Sequence, residues 1–171
     1  ILQTTMKDIT VLDRLADGSS RVTIVVHTHP DGDAVGSGTA MASYLTGIKG
    51  KDAVLIVPDT IPESLSFMLK GDAKSRTVTF EDEPEKARER IESSDLIMCL
   101  DCNSFSRTAG MESLLRGSKA KKVLIDHHLN PEIDSFDLVF SKTEISSASE
   151  LLFWILMEMP GIDDKASALP P

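Results

Sequence analysis

The sequence predicts an α/β protein built on a mostly parallel sheet with helices on both faces. Three observations carry that prediction. Short, β-branched apolar runs recur along the chain, stretches with helical spacing separate them, and the polar clusters fall directly after the runs. Strands buried on both faces read as continuous apolar runs, and strands alternating with helices imply a parallel sheet. At 171 residues and 41% hydrophobic content, the chain can bury one sizeable core, so residues 1–171 are read as one domain.

Each element has its own signal. "RVTIVV" (21–26) is a buried strand, being short, apolar and β-branched. From about Asp33 to Ile48, Val35, Met41, Ala42, Leu45 and Ile48 recur at roughly helical spacing. "DAVLIV" (52–57) is a strand stopped by Pro58, "IPESLSFMLK" (61–70) a short helix, and "RTVTF" (76–80) a short strand. "EPEKARERIESS" (83–94) places a proline near its first turn and reads as a solvated helix. "DLIMCL" (95–100) and "KVLID" (122–126) are buried strands with a helix around 111–117 between them. "DLVFS" (137–141) is a further strand. Ser147 with Glu150 forms a capping box ahead of the apolar helix "LLFWILMEM".

The stretch "VVHTHPDGDAVGSG" (25–38) crowds His27, His29, Asp31 and Asp33 at the end of the first strand. Carboxylates this close repel unless a cation sits between them. Asp101 follows the 95–100 strand, and Asp126, His127 and His128 end the 122–126 strand. In a parallel sheet these carboxyl ends share one edge, the edge at which α/β folds bind ligands. Singly, Asp-x-Asp reads as a helix cap, Asp101 as a loop cap, and the His-His pair as surface. Jointly, their convergence predicts a metal site.

Composition narrows the function classes. The net charge is −9 and no block of Lys or Arg is present. That argues against gripping long nucleic acid through many phosphates but leaves room for a short nucleotide held by metal ions. Apolar stretches fall far short of the about 20 residues needed to cross a bilayer, and no signal peptide opens the chain, so a cytoplasmic protein with no membrane partner is expected. Cys99 and Cys102 form a lone C-x-x-C and read as ordinary buried or loop thiols.

The motifs "HTHPDGDAVGS", "LIMCLDCN" and "VLIDHHLNP" resemble the first three motifs of the DHH phosphoesterase superfamily. Together with "SSASELLFWIL", they look most like the nanoRNase-type and exopolyphosphatase-related branches. The matching frame runs from residue 21 onward. The resemblance implies that His27 and Asp31 bind one metal, Asp33 and His127 a second, and that Asp101 bridges both. His128 would face the substrate phosphate, and Asp126 would orient the histidines. His29 would be a neighbour touching substrate. Gly36 and Gly38 would let their helix lie close to the sheet, with Gly36 and Ser37 at its phosphate-facing end. Carboxylates mixed with imidazole suit two manganese ions, with magnesium or cobalt as substitutes.

The implied activity is two-metal hydrolysis of a phosphoester, on short oligoribonucleotides or small phosphonucleotides. The alternatives are a phosphoanhydride hydrolase of exopolyphosphatase or pyrophosphatase type, or a non-catalytic phosphate binder. The implied partner is a small phosphorylated substrate or short RNA, and a homodimer is left open. Family members carry a fourth-motif aspartate and a smaller C-terminal substrate-binding domain. The sequence stops at "DDKASALPP", before either, and Asp163 and Asp164 come too early to stand for that aspartate. The chain is therefore expected to be a catalytic lobe of low activity. A rival, the metallo-β-lactamase type, has an H-x-H-x-D-H motif close to "HTHPDGD", but position 32 is glycine and the fold would be a two-sheet sandwich.

Overall fold

The apolar runs form the strands expected of them. In chain order the elements of the computed structural model are α1 (Met6–Asp17), β1 (Arg21–Val25), α2 (Gly32–Gly47), β2 (Asp52–Val57), α3 (Asp72–Ser75) and β3 (Thr77–Thr79). They continue with α4 (Pro84–Ser93), β4 (Leu96–Leu100), α5 (Glu112–Gly117), β5 (Lys121–Asp126), β6 (Leu138–Ser141) and α6 (Ala148–Glu158). The structure describes residues 6–160 and Ile162; Asp163 and Asp164 lie outside the described residues.

The strands make a six-stranded sheet in the order β3-β2-β1-β4-β5-β6. Each neighbouring pair is parallel. A single all-parallel sheet is incompatible with the two-sheet sandwich of the metallo-β-lactamase rival. The chain builds outward from β1 to β3, then returns to lay β4 on the other side of β1. The strand order therefore reverses between β1 and β4, the point at whose carboxyl edge open α/β sheets bind ligands.

Side chains alternate between two cores. Val22 and Ile24 of β1, Met98 of β4 and Val123 of β5 join Leu12 of α1, Leu45 of α2 and Leu152 of α6 on one face. Val25, Cys99 and Leu124 join Ile91 of α4, Leu115 of α5 and Phe105 of the turn before it on the other. Both faces are covered, which is why the strands lack polar alternation.

Local deviations have local causes. The stretch read as a helix over 61–70 is a 3-10 turn, Glu63–Met68, with no buried residue, so no apolar face favours a longer α-helix there. Helix α1 is not among the elements read above, although Ile9, Leu12 and Ala16 form its buried stripe. At the start of α6, Ser147 Oγ accepts from Glu150 N at 3.0 Å. The return bond of the expected box is shifted by one residue, because Glu150 Oε2 accepts from Ser146 N at 3.2 Å.

Candidate metal centre

Sheet register sets the site. Val25 lies opposite Cys99 and Leu100 opposite Ile125, so the residues just past β1, β4 and β5 emerge level with one another. Asp101 N extends the ladder by donating to Ile125 O at 3.0 Å. The backbone then turns at Asp101 with φ +53°, a left-handed conformation that Asp tolerates better than most side chains. The turn leaves the Asp101 carboxyl buried among the histidines, at 1% exposure.

Two groups share that carboxylate. On one side, His27 Nε2 lies 3.3 Å from Asp101 Oδ2 and 3.9 Å from Asp31 Oδ1. His27, Asp31 and Asp101 each offer one donor atom within 4.8 Å of the others. The other ring nitrogen, His27 Nδ1, is 2.6 Å from Thr28 O, so a proton held there leaves the Nε2 lone pair for a cation. On the other side, His127 Nε2 lies 3.4 Å from Asp101 Oδ1 and 3.6 Å from Asp33 Oδ2. Its Nδ1 is 3.3 Å from Ile145 O, the same arrangement by a different carbonyl.

Both aspartates of the first cluster also hold helices. Asp31 Oδ1 caps α2 by accepting from Asp33 N and Ala34 N, each at 3.0 Å. The Asp33 carboxylate accepts from Ala148 N and Ser149 N, each at 2.8 Å. The bland reading of Asp-x-Asp as a capping element is therefore true of Asp31 as well.

Asp101 is the electrostatic centre of the site. Burial raises its carboxyl pKa, the Asp33 and Asp31 charges raise it further, and only His27 opposes them. The hydrogen bond to Asp101 in turn raises the His27 imidazole, against its own desolvation. Asp101 Oδ1 is buried with no hydrogen-bond donor. A buried carboxylate oxygen without a donor is costly. The residues present thus fit divalent cations: imidazoles and carboxylates form two sets around one shared carboxylate whose Oδ1 is unsatisfied.

The family model of the DHH family, N-terminal domain, matches residues 21–169. The chain belongs to the DHH family. Among solved structures, the DHH domain is similar to an exopolyphosphatase-related protein from Bacteroides fragilis, at 31% identity and a TM-score of 0.87. The match covers 94% of this chain and 46% of that one, so the chain spans about half the length of that protein. A partial likeness to an alpha-glucosyltransferase, at 18% identity and a TM-score of 0.49, carries no argument.

The Asp-His-His run that names the DHH domain divides its labour. Asp126, fully buried, accepts from His128 N at 3.0 Å and lies 2.7 Å from His128 Nδ1. It orients that one histidine; the expected hold on both is corrected, since His127 is set by Ile145 O. His128 Nδ1 also approaches Asp101 Oδ1 at 3.6 Å, but its closer partner Asp126 leaves Nε2 as the ring's uncommitted nitrogen.

Two expectations need revising, those for Gly36 and Ser37. His29 has a side chain 94% exposed, and Asp59 rather than the cluster lies beside it. Gly38 does lie against the sheet, because a Cβ there would meet Leu55 Cδ1 at 2.7 Å, whereas Gly36 faces Met68 and Ser149 of the neighbouring helices. Ser37 is fully buried and its hydroxyl donates to Ala34 O of its own helix, so it is turned away from any phosphate.

Sequence reasoning passed over Asp59 and Arg107. Asp59, just past β2, accepts from His29 N through both oxygens, at 2.9 and 3.0 Å. Its place after a strand was the available signal. Arg107 lies in a 3-10 segment, Phe105–Met111, and its carbonyl accepts from Thr28 N at 2.8 Å. The thiols of Cys99 and Cys102 are buried and free, donating to Cys102 O and Ser104 O.

Proposed function

We propose that this DHH domain is the catalytic lobe of a two-cation phosphoester hydrolase acting on short oligoribonucleotides or small phosphonucleotides. One observation carries the reading. A single buried carboxylate, Asp101, stands between His27 on one side and His127 on the other, with Asp31 and Asp33 flanking them. His27 and Asp31 would hold one ion, Asp33 and His127 the other, with Asp101 shared; manganese suits this donor set, and magnesium or cobalt would substitute. When bound, such a pair supplies positive charge to phosphoryl oxygens and makes a water acidic enough to attack at neutral pH.

The chain's own residues do the rest. Asp126 fixes the His128 ring through Nδ1, leaving Nε2 to hydrogen-bond a phosphoryl oxygen as its charge grows. Asp59 and Asp31 hold the loop from His27 to Asp33 in shape through its backbone amides. The net charge of −9 favours small substrates over long strands. No helix among the described residues is long and apolar enough to cross a membrane, and two free thiols suit a reducing cytoplasm.

The test is a manganese titration by calorimetry together with a substrate panel on the full-length protein. Short oligoribonucleotides, phosphoadenosine phosphate, pyrophosphate and polyphosphate should be compared. Metal binding with turnover of the first two is the expected result; no manganese binding would refute the reading. The name of the Bacteroides fragilis protein, exopolyphosphatase-related, favours a second reading. Preference for pyrophosphate or polyphosphate would establish that phosphoanhydride activity instead, and binding without turnover a phosphate-binding domain.

A further inference from the structure

Arg107 stands apart from the other sheltered arginines. Arg21, Arg76, Arg90 and Arg107 are the described arginines that are not exposed. Arg21 pairs with Asp52 and Glu89, Arg76 with Asp72, and Arg90 with Asp52. The Arg107 guanidinium has no carboxylate partner among the described residues, in a chain with 27 acidic residues against 18 basic ones. A half-buried cation normally finds one of the surrounding anions, because its desolvation is otherwise uncompensated.

Its placement is fixed by backbone. Arg107 O accepts from Thr28 N at 2.8 Å, one residue past His27. Arg107 N donates to Ser104 O at 3.1 Å, and Thr108 Oγ1 donates to Phe105 O at 2.6 Å. The following residue, Ala109, takes φ +49°. The segment is thus a tight, pinned turn running alongside the His27 strand end. The cluster itself contributes only carboxylates and imidazoles, so Arg107 adds a guanidinium to this edge, where Lys142 also follows β6.

We infer that Arg107 is the substrate-phosphate anchor of this site, binding phosphate oxygens of the ligand through its guanidinium fork; the inference rests on reading the site as one for phosphate esters. An arginine presents parallel N–H donors that match two phosphate oxygens, a bidentate geometry that lysine cannot reproduce. The anchor explains why the guanidinium has no carboxylate partner among the described residues: a carboxylate there would compete with the ligand. It also makes the preferred substrate an anionic phosphate ester in place of a neutral, fully esterified one.

The experiment uses the full-length protein saturated with manganese and titrated by calorimetry with adenosine 5′-monophosphate. Arg107→Gln should weaken nucleotide binding about tenfold or more, Arg107→Lys by an intermediate factor, and manganese affinity should be unchanged in both. With bis(p-nitrophenyl) phosphate, the Gln variant should raise KM far more than it lowers kcat. Equal nucleotide affinity in wild type and Arg107→Gln would overturn the anchor, as would manganese affinity falling in parallel, which would mark a structural role. A wild type that binds the nucleotide through Arg107 yet hydrolyses no phosphoester would support the anchor and refute the hydrolase reading alone.

Discussion

Replacing Asp101 by Asn should stabilise the metal-free protein while removing its response to manganese. The carboxylate is 1% exposed, its Oδ1 has no donor, and its pKa is raised chiefly by burial. A carboxyl raised in the folded state costs stability as pH rises through the unfolded value near 4, so at neutral pH the folded protein carries that cost in full. Asparagine keeps the shape, has no charge, and tolerates the φ of +53° at this position. Alanine would add a cavity and a backbone penalty, so it is the poorer probe. A buried group without its hydrogen bond costs roughly 1–3 kcal/mol. At about 2–4 °C per kcal/mol for a chain of this size, Asp101→Asn should melt roughly 2–12 °C higher in chelator.

Manganese inverts the ranking. At a free concentration about 100 times Kd, one ion stabilises the wild type by about 2.7 kcal/mol, or roughly 5–11 °C on the same scale. The Asn variant, lacking the proposed shared ligand, should gain almost nothing. Thermal melts of both proteins, in chelator and across a manganese series, give all four numbers. A variant less stable than wild type in chelator, or one that keeps the manganese shift, would refute the reasoning.

His128→Ala should keep normal manganese stoichiometry while kcat falls by about 10²–10³-fold, the usual loss for one transition-state donor; His29→Ala, whose side chain is 94% exposed, should keep both metal and rate. Metal analysis beside kcat separates them, and loss of metal in His29→Ala would overturn the ligand assignment of the first cluster. Gly38→Ala should cost about 1–3 kcal/mol, because its Cβ would lie 2.7 Å from Leu55 Cδ1. Gly47→Ala, where nothing lies within 4 Å, should be neutral or stabilising by up to about 1 kcal/mol in urea melts. The Arg116 guanidinium holds the Glu132 carboxyl down at about 2, so that pair contributes above the unfolded value of 4.5 and is lost as pH falls from there toward 2. With both side chains partly exposed, Glu132→Gln should cost about 1 kcal/mol or less at pH 7 and nothing near pH 2, read from denaturant midpoints.

Burial on both faces made the sheet legible. The run 52–57 coincides with β2, and the runs at 21–26, 95–100 and 122–126 miss β1, β4 and β5 by a single residue at one end. Because the proposed ligands Asp101 and His127 directly follow those strands, topology alone brings them together. Features created by tertiary approach were not legible. The glycine spacing in α2 does not say that Gly38 meets Leu55 while Gly36 meets Met68 and Ser149, since that depends on the helix's rotation over the sheet. The register between β1 and β2 brings Asp59 to the His29 amide, and the 3-10 segment after β4 brings Arg107 to Thr28. Neither pairing has a local pattern, because each joins loops far apart in the chain.

The Asp33 carboxylate accepts amides 115 and 116 positions further along, at Ala148 and Ser149. In folding terms, the centre cannot be assembled piecemeal. His27, Asp31 and Asp33 are neighbours even in a denatured chain, but the closures that bring in Asp101, His127 and the α6 amides span most of the molecule and lose the most chain entropy. Such long-range pairings are slow to form, so the complete ligand set should appear only as the last docking event ends. A cation that needs both sides of Asp101 would then discriminate sharply against every partly folded species, and its binding rate would time the arrival of the native state.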